Sequence, residues 1–217
     1  MDVLVGLLGM LAIASVVGIV IAIVIRVDKQ RTQEIQVLAD KLNFAFTEDA
    51  GPALTATTQQ FDLFSRGRDR KLRNIIQGRV KHLTVTVADY SYATGSRRNR
   101  NMHIQTVAIV QSNSSYFPKF VLTPKNIFHT IGGLFGHQDI NFDAYPTFSN
   151  NYCLQAADES ALRDKFTSAV LMLLDAEEKI SLEGNQQALL YYQTDKALKP
   201  QQWRTLINSA CHLHQQF

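Results

Sequence analysis

From Val3 to Ile25 the chain reads VLVGLLGMLAIASVVGIVIAIVI, without one charged side chain. As a helix rising about 1.5 Å per residue, this run reaches about 34 Å, enough to cross a hydrocarbon core of about 30 Å. A cleaved signal peptide would show a basic n-region, a shorter apolar stretch and a small-x-small cleavage site. Here Met-Asp leads into apolar sequence that runs straight to Arg26, so the run predicts a retained single-pass transmembrane helix. No Lys or Arg precedes it, whereas Arg26, Lys29 and Arg31 follow it. Cations next to a span tend to stay cytoplasmic. The expected arrangement therefore translocates Asp2 and leaves residues 26–217 in the cytoplasm.

Within the run, Ala14, Gly18 and Ala22 share one helix face at small-xxx-small spacing. Such spacing lets two membrane helices approach closely, and it makes this face the expected surface for homodimerisation.

The remainder is long enough for one domain with a sizeable core. Three sections are expected: a tail and transmembrane helix (1–25), a juxtamembrane helix and linker (26–60), and a cytoplasmic domain (61–217). Ile35, Leu38 and Leu42 recur at helical spacing among charges, and Thr47–Gln60, with Gly51-Pro52, reads as a loop with room for one helical turn. From Phe61 the apolar period changes to two. FDLF (61–64), LRNIIQGRV (72–80), LTVTVADYSY (83–92) and MHIQTVAIVQ (102–111) read as strands of an antiparallel meander. KFVL (119–122), DINFD (139–143) and TFSNNYCLQA (147–156) extend the list of strands, and Pro124 opens a short helix.

Asp158 is placed to cap a helix carrying Leu162, Phe166, Ala169, Val170 and Leu173. KISLE and QALLYYQ form a hairpin about Gly184-Asn185. A last helix from Pro200 keeps Trp203, Leu206, Ile207, Ala210, Leu213 and Phe217 on one stripe. Strands followed by mixed helices and strands, without regular βαβ alternation, predict an α+β domain: an antiparallel sheet covered by helices.

The two cysteines, Cys153 and Cys211, show no metal or redox spacing and are expected to be buried free thiols. No nucleophile elbow, HExxH, P-loop, EF-hand or CxxC is present, so the sequence carries no enzyme motif and no cofactor is expected. IGGLFGH lacks the Lys-Ser/Thr ending of a phosphate loop and reads as a helix terminator. His129, His137, Asp139 and Asp143 are the one set of metal-type ligands close in sequence, and they define an alternative reading as a metal-dependent hydrolase. Their spacing matches no recognised metal motif. His212 and His214 fall on different helix faces.

Net charge is only +3, so electrostatic function rests on local clusters. Alternate turns of a meander lie at one end of the sheet. SRGRDRK (65–71) and TGSRRNRN (94–101) should therefore bring Arg66, Arg68, Arg70, Lys71, Arg97, Arg98 and Arg100 to one basic rim. Such a rim suits anionic lipid headgroups or an acidic protein partner. Base-stacking aromatics are missing from both turns, which argues against nucleic acid.

The segments NIIQGRV, VTVADYSYATG, QTVAIVQ, FPKFVLTP, FGHQDINFD and FSNNYCL follow in this order behind one N-terminal span. In that arrangement the chain resembles a family of uncharacterised bacterial single-span membrane-anchored proteins. The resemblance implies a bacterial source and an inner (cytoplasmic) membrane setting, and it brings no activity, cofactor or catalytic residue. Where that family's turn after YxYxTG is rich in Gly, Ser and Lys, this chain reads SRRNRN. The sequence thus points to a membrane-anchored cytoplasmic binding or interaction module, with a structural subunit of an inner-membrane complex as a further alternative.

Overall fold

The computed structural model describes residues 2–96, 98–127, 139–177 and 179–217, with side chains from Ile13 onward. Helix α1 (Asp2–Leu42) is one continuous element of 41 residues, so the expected boundary at residue 25 is not a break. Among the described residues no helix is long and apolar enough to cross a membrane; the expected span includes residues 3–12, whose side chains lie outside the described part. The helix stops where Asn43 turns to φ +56°. The amides of Asn43 and Phe44 then donate to the carbonyls of Asp40 and Ala39. This is the paired reverse bonding of a Schellman stop with Asn in the left-handed position.

The strands are β1 (Ala45–Asp49), β2 (Arg68–Val80), β3 (Leu83–Thr94), β4 (Asn101–Gln111), β5 (Phe117–Pro124), β6 (Tyr152–Ala156), β7 (Ser181–Gln186) and β8 (Ala188–Tyr192). They form one antiparallel sheet in the order β1-β2-β3-β4-β8-β7-β5-β6, which establishes the α+β class. β2, β3 and β4 are three of the four strands of the expected meander. β1 belongs to this sheet, so residues 45–49 are an edge strand rather than part of a linker. The short helices are α2 (Pro52–Thr58), α3 (Pro146–Asn151), α4 (Glu159–Lys165) and α5 (Ser168–Ala176), with α6 (Trp203–Gln216) closing the chain.

Strand alternation produces two cores. On one face Ile76, Val85, Val87, Ala108, Val110, Leu122, Leu182 and Leu189 pack under Ile35 and Ala39 of α1, the α3–α5 group, and Trp203, Ile207 and Ala210 of α6. The opposite face carries Ile75, Ala88, Tyr90, Tyr92, Val107, Ile109, Leu190 and Tyr192, capped by Phe61 and Leu63. Cys153 and Cys211 are free and buried, and burial pushes their thiols up to about 12 and about 11.

Several expected elements differ. FDLF is not a strand but a 3-10 turn, Asp62–Ser65, because the amides of Asp62 and Leu63 are held by the buried Glu183 carboxylate rather than by a neighbouring strand. DINFD forms no strand. Ile140 makes one backbone bond to Leu154, and the Asp139 side chain takes the next position by accepting from the Leu154 amide. TFSNNYCLQA divides into α3 and β6.

The helix capped by Asp158 ends at Lys165 because Thr167 starts another, its hydroxyl accepting from the Val170 amide. The hairpin turns at Gln186, where φ is +51°, while Gly184 and Asn185 stay in the strand opposite Leu189 and Ala188. Glycine is required at 184 for another reason: a Cβ there would overlap the ring of Phe120.

Candidate lipid-facing surface

Helix α1 is fastened to the sheet along its second half. Arg31 donates from Nε and Nη2 to the two carboxylate oxygens of Asp89 on β3, at 2.8 and 2.7 Å, and Nη2 also reaches the Leu198 carbonyl at 2.8 Å. Asn74 and Thr106 donate to the same carboxylate, and Thr32 donates to Asn74. The hydrogen bonds and charge of Asp89 hold the Arg31 guanidinium above its ordinary pKa against desolvation. One turn earlier, Asp28 pairs with Arg73 of β2 at 3.2 Å.

These contacts fix a direction. Phe44 lies against Gly78, Thr32 on Asn74 and Asp28 on Arg73. Moving toward its N-terminus, α1 thus follows β2 toward Arg68. The unpacked part of α1 therefore leaves from the end of the sheet that holds the β3–β4 turn.

That same end carries most of the basic rim. Arg68 lies opposite Ala93 in the sheet and donates to the Gly95 carbonyl, which brings the two basic segments side by side. Arg100 pairs with Asp69 at 3.1 Å, and Arg70 is held by the carbonyls of Phe64 and Ser65. Lys71 and Arg98 are exposed; Arg97 lies outside the described residues. Arg66 is a correction. Its side chain is buried beneath the rim, where Nη2 meets Glu183 Oε1 at 3.4 Å, so it presents no charge to the surface.

Glu183 is a buried polar hub that the sequence does not reveal. It accepts from the amides of Asp62 (2.6 Å) and Leu63 (3.1 Å) and from the Tyr192 hydroxyl (3.1 Å). Burial raises its pKa, and Arg66 opposes that shift. The result is a strap, residues 61–66, locked across the second sheet face. Beside it a cavity of about 350 Å³ opens between α2 and β2, lined by Arg70, Lys71, Gln59, Phe64, Leu72 and Tyr90 among others.

Nearby, His103 bridges two groups: Nδ1 is 2.8 Å from Asp195 and Nε2 is 2.8 Å from Thr94 Oγ1, with the ring stacked on Tyr92. This ties the β3–β4 hairpin to the segment after β8.

The other expected site residues have simpler fates. Ala14, Gly18 and Ala22 lie on exposed α1, and no atom approaches the Cβ position of Gly18 within 4 Å. His129 and His137 lie outside the described residues. Asp139 is engaged by the Leu154 amide and by Lys125 at 3.0 Å, while Asp143 is exposed. Among the described residues no group of three His, Cys, Asp or Glu could hold a metal. His212 is exposed and His214 buried.

No protein-family model matches this sequence, and no curated protein does either. Among solved structures, the fold is similar to the crystal structure of the mycobacterial trehalose monomycolate transport factor A. The TM-score is 0.54 over 86% of this chain and 92% of that chain, at 11% sequence identity. A likeness at that identity is one of fold.

Proposed function

We propose that this chain is a membrane-anchored, lipid-interacting module: the first half of α1 sits in a bilayer, and the rim at the same end of the sheet meets anionic headgroups. The observation that carries this reading is the state of α1. Every large apolar side chain from Ile13 to Val27 is half or more exposed, on all sides of the helix. Full burial of such a side chain is favourable by about 1.5–3 kcal/mol, so together they leave on the order of 10 kcal/mol unrealised in water. A helix apolar on all sides fits hydrocarbon rather than water. With Arg26, Lys29 and Arg31 at its inner end, the anchor holds the sheet on the cytoplasmic side, as in the bacterial inner-membrane setting that the resemblance implies.

The rim then faces a leaflet where each Lys or Arg contributes about 1 kcal/mol of attraction to anionic lipid. The likeness in fold to a trehalose monomycolate transport factor is compatible with a role in handling lipid. The test is hydrogen exchange on the full chain in nanodiscs of neutral or anionic lipid. Residues 67–72 and 95–101 should gain protection only with anionic lipid, and Arg98→Ser with Arg100→Ser should remove that gain. Equal exchange in both lipids would defeat the headgroup reading. Release of the full chain from membranes by alkaline carbonate would defeat the anchor.

A further inference from the structure

The open end of the sheet has a face as well as a rim. Beyond the row Arg73–Asp89–Thr106, where Arg31 is clamped, two further rows point to the α1 side: Lys71, Ser91 and Ile104, then Arg68, Ala93 and Met102. Further in, the same face is core, with Ala108 and Val110 fully buried. At this end Ala93 stays buried, while Met102 and Ile104 are 47% and 49% exposed, each in a regular strand with β3 between it and the cations of β2. A hairpin surrounded by water places polar side chains on its outer face. Here the two outward positions of β4 are apolar, and Lys71 and Arg68 stand on the same face across Ser91 and Ala93 of β3.

Lengths decide what this face meets. The Asp28–Arg73 pair sets the level at which α1 leaves the sheet. From Asp28 to Ile25, where the apolar run begins, α1 advances about 4.5 Å. From Asp89 to Thr94, β3 runs on for about 16 Å toward the end of the sheet from which α1 leaves. The hairpin thus extends beyond the point at which α1 leaves the sheet. With α1 anchored, the hairpin is brought against the bilayer surface on its α1 side.

The geometry points to a second membrane contact, made by the β3–β4 hairpin: Met102 and Ile104 enter the boundary between headgroups and acyl chains of an anionic bilayer, with Arg68 and Lys71 on the adjoining phosphates. This inference rests on the anchor reading above and adds to it a fixed posture of the sheet against the membrane. Apolar side chains with cations on the same face suit that boundary, since the first gain from burial and the second from surface potential.

The test uses the full chain in liposomes of phosphatidylcholine and phosphatidylglycerol. An environment-sensitive fluorophore is placed singly through Met102→Cys, Ile104→Cys, Val20→Cys or Tyr116→Cys; the native Cys153 and Cys211 are buried. Tyr116 is 66% exposed in the loop between β4 and β5, at the opposite end of β4, and reports water. Labels at 102 and 104 should shift to the blue and be quenched by spin-labelled lipid at least threefold more than the label at 116. Labels at 102 and 104 that behave like 116 while 20 stays quenched would overturn the hairpin contact and leave the anchor standing. Loss of quenching at 20 would instead remove the anchor reading. A blue shift at 102 and 104 without lipid quenching would mean that a protein covers the patch, and it too would overturn the proposal.

Discussion

Arg31 of α1 and Asp89 of β3 meet in a two-pronged ion pair, with N–O distances of 2.8 and 2.7 Å, and this pair joins the second half of the helix to the sheet. Asp89 stands on the face where Val85 and Val87 are core, so the strand gives up an apolar position to hold the helix. Asp89→Ala leaves Arg31, Asn74 and Thr106 without their shared acceptor and should cost about 1–3 kcal/mol. Denaturant titration of the detergent-solubilised chain measures it. A double-mutant cycle with Arg31→Ala should show coupling of about 0.5–3 kcal/mol, whereas additive losses would mean that the pair does not act as a unit.

Glu183 makes a second prediction, about the other face. Removing a buried carboxylate that caps two amides and pairs with buried Arg66 strands the guanidinium, at a cost of about 3–5 kcal/mol for Glu183→Ala. Exchange of the amides at 62 and 63 should rise with it. Adding Arg66→Met to that variant should recover part of the loss, since no charge is then left unpaired in the interior.

Three strands of the meander, the class of fold and the last helix were legible because their apolar periods are long and consistent, as with Val85, Val87, Ala108 and Val110 on one face. The segment 65–71 was read as a turn of the meander, whereas Arg68–Lys71 already lie in β2, and Arg68 meets the 94–101 turn because β2 begins beside it. Arg66 was misread since nothing local distinguishes a guanidinium that pairs with Glu183, far along the chain, from its exposed neighbours. FDLF was misread for the same reason: its amides find a carboxylate brought by β7. Met102 and Ile104 lie on the core face of β4 beyond Thr106, and only the place where α1 leaves the sheet reveals that, among the described residues, no helix covers them.

His214 predicts a pH dependence. It is buried on α6 against the edge of Phe117, and burial, with His82 adding to it, lowers its pKa to about 4. An unfolded histidine takes its proton near 6.5. The unfolded state therefore binds more protons between these values, so the stability that neutral His214 allows is present above pH 6.5 and is lost as pH falls toward 4. Unfolding midpoints between pH 7 and 4.5 should drop more steeply for the native chain than for His214→Phe, by on the order of 2–3 kcal/mol at the acid end. Parallel profiles would show that the ring is protonated without cost.

The β7–β8 hairpin separates two roles of glycine that sequence alone assigns to one residue. Gly184 lies in regular strand, where its lack of a side chain admits the ring of Phe120, itself packed edge-on against Phe166 at 5.3 Å. Gln186, two residues on, holds the left-handed conformation of the turn with φ +51°. Gly184→Ala should then destabilise by about 1–3 kcal/mol through overpacking, and Phe120→Leu in the same chain should make the alanine less costly. Gln186→Gly should be neutral or stabilising by up to about 1 kcal/mol, because glycine adopts positive φ without steric strain. Thermal melts of the three variants decide the point: a harmless Gly184→Ala together with a damaging Gln186→Gly would return the turn to Gly184-Asn185 and shift the register of the hairpin.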